Sequence, residues 1–206
     1  MAIEIIGPSG AKAETDLNKN LFTRDGLSEY GSVGGGFTVS GWTTGVVAAA
    51  LAANTNLMSM RFSASSTRKA YIKRLFLTIS IATVGASGGV AGTLAWQKFT
   101  TQTPTGGTAR TPLRKNAATG SGTDMTDVRD SNAALTGTAP TWTEIAAATQ
   151  VPVSTVGYVH QHWWSAREAY EPIVLIAGDG IGLRTLVAMA ATQTWMFSYT
   201  VDWIEK

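Results

Sequence analysis

Cysteine is absent from this sequence, and histidine occurs only twice, at His160 and His162. Without thiols there is no disulfide scaffold, no thiolate nucleophile and no cysteine-ligated zinc, and nothing points to an oxidising compartment. Charge is scarce as well. Only 15% of the 206 residues are Asp, Glu, Lys or Arg, and the formal net charge is +2, a field too weak to recruit nucleic acid in bulk. The longest apolar stretch, around Leu75–Val84, is interrupted by Thr78, Ser80 and Thr83, so it is too short and too polar to span a bilayer. The opening "MAIEIIGPSGAKAETD" lacks the basic segment and apolar core of a signal peptide. These absences lead to the expectation of a soluble protein made in the cytoplasm, with neither nucleic acid nor a membrane as partner.

What is present favours strands. Hydrophobic residues make up 44% of the chain, glycine occurs 22 times, and serine and threonine are spread throughout. That balance suits β-strands joined by polar turns better than helices. The clearest signal is "TWMFSYTVDWIEK" at 194–206, where Trp195, Phe197, Tyr199, Val201 and Trp203 fall on alternate positions. Successive strand residues point to opposite faces, so this spacing predicts one buried face. Burial of each large side chain contributes roughly 1.5–3 kcal/mol, and the segment is expected to be a central core strand. Similar alternation marks "LMSMRFSAS" and "AYIKRLFLTISIATV"; "GFTVSGW", "GTLAWQKFTT", "TWTEIAAATQ" and "VPVSTVGYVHQHWW" also read as strands. "GVVAAALAANTN" has an ambiguous period and leans to strand, and "EPIVLIAGDGIGLRTLVA" reads as strand, Gly-Asp-Gly turn, strand. Eight to ten strands without an amphipathic helix (an estimate from the pattern) imply an all-β, jelly-roll-like β-sandwich over 37–206, preceded by an extended N-terminal arm over 1–36.

Two segments fit this pattern poorly. Residues 1–36 hold few periodic apolar positions, so they bury little by themselves and are expected to order against a partner surface. The candidate contact residues are Ile3, Ile5, Leu17, Leu21, Phe22 and Arg24. Residues 101–132, "TQTPTGGTARTPLRKNAATGSGTDMTDVRDSN", read as a long, exposed loop, a kind of segment that is often functional.

Catalytic chemistry finds little footing. His160 and His162 share one face of a strand, the spacing of an H-x-H metal pair. No third histidine exists, and Glu168 lies farther on than the carboxylate such sites use. A structural pair is the better reading, and no metal or other cofactor is expected. The basic cluster Arg68, Lys69, Lys73 and Arg74 suits a solvated strand end or an acidic protein surface better than phosphate. "GSVGGG" at 31–36 is followed by no Gly-Lys-Ser/Thr and is no phosphate loop. No catalytic residue is assigned, and an enzyme is not expected.

"TPTGGTARTP" (103–112), "MTDVRDSNAALTG" (125–137), "EPIVLIAGDGIGLR" (171–184), "VDWIE" (201–205) and the leader "IGPSGAKAETDLNKNLF" together resemble a group of small structural proteins of tailed bacteriophages. The resemblance spans most of the chain as loosely patterned stretches. It implies an all-β virion protein without catalysis, such as a capsid decoration or cement protein that stabilises the head. Its implied partners are the major capsid protein and neighbouring copies of itself, as a homotrimer. The alternative is a tail or fibre component acting as a receptor- or carbohydrate-binding module through rings such as Trp163 and Trp164.

Overall fold

The computed structural model describes residues 14–15, 21–22, 35–43, 46–47, 51–83, 92–115, 122–151, 159–166, 169, 172–189 and 193–206. In chain order the strands begin with β1 (Glu14–Thr15), β2 (Leu21–Phe22), β3 (Gly35–Trp42), β4 (Val46–Val47), β5 (Asn56–Phe62) and β6 (Ala70–Thr83). They continue with β7 (Gly92–Thr100), β8 (Pro104–Thr105), β9 (Thr108–Ala109), β10 (Leu113–Arg114), β11 (Met125–Asp130) and β12 (Thr136–Gly137). The series closes with β13 (Thr141–Val151), β14 (Val159–Ser165), β15 (Ile173–Leu175), β16 (Gly180–Thr185) and β17 (Thr194–Glu205). No helix occurs among the described residues.

Two antiparallel layers make a β-sandwich. The first is seven-stranded, with the order β10-β3-β17-β6-β14; β15 also pairs with β6, and β4 with β17. The second runs β13-β7-β16-β5-β11-β9. Alternation in the sequence becomes the division between core and surface. Trp195, Phe197, Tyr199, Val201 and Trp203 of β17 are all buried, facing Met58, Met60, Trp96, Ile181 and Leu183 of the second layer in one core. Trp96 meets Tyr199 edge-on across the layers at 6.2 Å, and Phe37 stacks on Trp203 at 5.7 Å, both arrangements that aromatic quadrupoles favour. As expected, β17 is central: it pairs with β3 on one side and along nearly all of β6 on the other.

Three expectations change. First, β3 begins at Gly35, just inside the arm boundary drawn at residue 36, because Gly35 and Gly36 pair with Glu205 and Ile204. Second, residues 101–132 are not a single exposed loop. They hold β8, β9, β10 and β11, and β11 is a full member of the second layer, with Met125, Val128 and Asp130 buried. A register shift between Thr126 and Arg129, with Asp127 at φ +50°, inserts a bulge that resets which residues point inward. Gln102 is buried too, and accepts hydrogen bonds from Ser59 Oγ and Asn56 Nδ2 of β5. Third, the Gly-Asp-Gly turn does not join paired strands. It carries the chain from β15, beside β6 in the first layer, to β16 between β5 and β7 in the second. Asp179 braces that crossing by accepting from the Ile176 amide and from Lys98 Nζ.

Candidate functional site: the outer face of the first layer and the Trp42 cleft

Residues of β3, β17, β6 and β14 that point away from the core form the outer face of the first layer. Strand pairing sets them in rows: Trp42, Ser198, Thr78, Gln161; then Ser40, Thr200, Phe76, Trp163; then Thr38, Asp202, Arg74, Ser165. Hydroxyls dominate, and Ser40 and Thr200 bond each other at 2.9 Å. Into this polar ground are set Trp42 at 67% exposure, Trp163 at 54% and Met196 at 39%. Near one end Asp202 Oδ2 accepts from Arg74 at 2.7 Å and Lys115 at 2.8 Å. With strands about 4.8 Å apart, the two exposed indoles stand on the order of 15 Å from each other.

At its β3 end the face runs into a cleft of about 310 Å³ lined by Trp42, Thr43, Gly107, Thr108, Arg110, Asp130, Ser131 and Asn132. Its centre is a fixed charge pair. Arg110 donates from Nε and Nη2 to the two oxygens of Asp130, at 2.7 and 3.1 Å, and from Nη2 to the Trp42 carbonyl at 2.8 Å. The guanidinium carbon stands 5.1 Å from the centre of the Trp42 ring, within cation–π range. Tyr199, reaching across from β17, donates its hydroxyl to Asp130 Oδ2 at 2.8 Å. Burial first, then the Asp130 charge, pushes the Tyr199 phenol well above its ordinary value of 10.0, so it stays a donor. Hydrogen bonding to Asp130 raises Arg110 in turn.

Backbone approach makes the cleft possible. A Cβ on Gly41 would collide with the Asp130 carboxylate and the Tyr199 hydroxyl, and Gly107, at φ +59°, packs against the Asp130 carbonyl. Only glycine meets both demands at Gly107 without strain.

A second charged cluster seals the other side of β11. Arg68 pairs with Asp124 and with the buried Glu205, at 2.5 and 3.2 Å. Glu205 also accepts from Thr123 Oγ1, the Asp124 amide and Trp203 Nε1. Hydrogen bonds from Arg68 and then Ser66 hold the Asp124 carboxyl below its ordinary range. Every charge here is answered by a neighbour, and its effect is to fasten β11 to β17.

Of the arm residues, Ile3, Ile5, Leu17 and Arg24 lie outside the described residues. Leu21 and Phe22 form β2, whose backbone pairs with Thr15 and Glu14. His160 and His162 fall on one face of β14, opposite Ile79 and Leu77. Glu168 is outside the described residues, among which no group of three or more His, Cys, Asp or Glu could hold a metal. The two tryptophans differ: Trp163 is exposed, whereas Trp164 packs against the core. One Gly-x-Ser-x-Gly spelling occurs at 85–89, outside the described residues, and a lone match to so short a pattern carries no catalytic reading.

Nothing in the sequence marks Trp42, Arg110 and Asp130 together as site residues. Trp42 ends a strand-like run, while Arg110 and Asp130 sit 20 residues apart in a segment without visible period. The one available signal was a buried-type aromatic at the exposed end of an alternating strand. No family model, curated protein or solved structure matches the chain.

Proposed function

We propose that this chain is a non-enzymatic structural protein of a tailed-phage virion, a decoration protein that stabilises the head by binding the major capsid protein. The observation that carries the reading is a division of labour within the fold. Among the described residues, β1 and β2 pair only with each other and form a small sheet of their own, joined to neither layer of the sandwich. The sandwich builds its core from later strands. A leading segment whose described strands pair outside the main sheets has apolar residues to offer elsewhere, and Ile3, Ile5, Leu17, Leu21 and Phe22, with Arg24, are the contacts we assign to the capsid or a neighbouring copy. Fixing such a segment costs roughly 1–2 kcal/mol per residue in backbone entropy, so a partner must bury those side chains for it to order. A trimer fits the proposed role, since three arms bound together gain from effective concentration.

The test is co-sedimentation with particles that lack the protein, comparing the full chain with one lacking residues 1–24. The truncated chain keeps its fold and loses attachment. Equal attachment by both overturns the arm assignment, and localisation to the tail tip overturns the head assignment. Sedimentation equilibrium of the free protein checks the trimer.

A further inference from the structure

We infer that the Trp42 cleft is a binding site for a neutral pyranose, such as a residue of a surface polysaccharide. This goes beyond the virion reading and does not depend on it.

Three features of the cleft point the same way. The first is the indole of Trp42, held at the rim and mostly exposed. A pyranose has one apolar C–H face, and an exposed aromatic face is its natural stacking surface. The second is the state of Arg110. Its Nε and Nη2 are committed to Asp130 and to the Trp42 carbonyl. The Nη1 protons take no part in those bonds and remain as donors. Because Asp130 neutralises the guanidinium, the pair has no net charge to attract phosphate, and its donors suit the oxygens of a neutral polyol. Thr108 and Ser131 line the same cleft and supply hydroxyls that both donate and accept.

The third feature is rigidity. Asp130 is almost wholly buried and takes Tyr199 as a further donor from β17, so the orientation of Arg110 is set by the sandwich core. Pre-set donors reduce the ordering cost of binding. Asp130 and Tyr199 are therefore positioning residues, whereas Trp42, Arg110, Thr108 and Ser131 touch the sugar. The volume of about 310 Å³ lies at the small end of the range for small-molecule sites, roughly 300–1,000 Å³, which suits a single sugar unit of a longer chain. Trp163 stands across the sheet from this cleft; the charged pair in the row next to it, Arg74 with Asp202, is shared with Lys115 and lies outside the cleft.

The experiment is saturation-transfer NMR on the full chain with glucose, mannose and galactose oligomers, an oligo-uronate and inorganic phosphate as separate probes. At least one neutral oligosaccharide is expected to bind and to shift the Trp42 indole resonance in the unmutated protein. Trp42→Ala and Arg110→Ala should each weaken that binding tenfold or more, Asp130→Asn should weaken it less, and Trp163→Ala should leave it unchanged. Thermal melts of each variant separate lost binding from lost fold. Absence of binding by every neutral oligosaccharide overturns the inference, as does binding of phosphate or uronate alone. Loss of binding with Trp163→Ala but not with Trp42→Ala overturns it too. A Trp42→Ala protein that loses the sugar yet still sediments with particles leaves the virion reading standing, so the two readings fail separately.

Discussion

Strand β17 in the first layer carries five large side chains on alternate positions, all directed into the core. Strand β11 in the facing layer turns inward only Met125, Val128 and the carboxylate of Asp130. The first is held by apolar burial, which is indifferent to direction. The second is held by directed bonds: Arg110 and Tyr199 on Asp130, and Arg68 with Ser66 on Asp124. The two strands meet at two places: Tyr199 of β17 donates to Asp130 at one end of β11, and Glu205 of β17 accepts from the Asp124 amide at the other. Apolar strands tolerate loss of geometry better than loss of volume, while a polar strand fails when one partner is removed and another is left buried and unanswered.

The largest effect is expected on the apolar side. Trp203→Ala should destabilise the protein by about 3–5 kcal/mol, as large core truncations do, measured by equilibrium denaturation. A cost no greater than that of an exposed tryptophan would remove β17 from the centre of the core. Next, Asp130→Ala should cost about 2–3 kcal/mol, since hydrogen bonds to charged groups contribute ~1.5–3 kcal/mol and Arg110 can partly turn to water. Denaturation at neutral pH checks it, and an unchanged midpoint would show that β11 does not need its carboxylate.

Tyr199→Phe tests the joint at Asp130 and should cost about 1.5 kcal/mol at neutral pH. It also has a pH signature. The folded phenol titrates above the unfolded one, so its contribution is complete below the unfolded value, near 10, and is lost as pH rises beyond it. Replacing Tyr199 should flatten that part of the alkaline decline in a series of melts, and an identical decline in both proteins would show that another group causes it.

Asp124 gives the opposite sign. Its folded carboxyl titrates below the unfolded one, so its stabilisation is present above about pH 4 and is lost as pH falls through the folded value. Asp124→Asn should reduce the acid slope and cost only about 0.5–1 kcal/mol at neutral pH, because the pair is partly open to solvent. A steeper acid slope in the variant would contradict the assignment. The smallest effect belongs to Trp163→Ala, within roughly 0.5 kcal/mol, as for other exposed positions; a larger loss would place that ring in the core.

The all-β class and the inward face of β17 could be read from the residues because alternation is a local property: side chains two apart must share a face whatever the strand pairs with. The same rule placed Leu75, Leu77, Ile79 and Ile81 together, and they are buried. It failed between 101 and 132, where Met125 and Val128, three apart, both point inward across a bulge, and where the inward residues include a glutamine and an aspartate. Their burial depends on donors 20 to 69 positions away in the chain, from Asn56, Ser59, Arg110 and Tyr199. The cleft at Trp42 shares this origin. Periodicity could mark Trp42 as facing away from its buried neighbours Val39 and Gly41, but only the packing of two layers brings Arg110, Asp130 and Tyr199 beside it. Apolar burial is written residue by residue, whereas polar burial is decided by which partners the finished fold brings within a hydrogen bond's length.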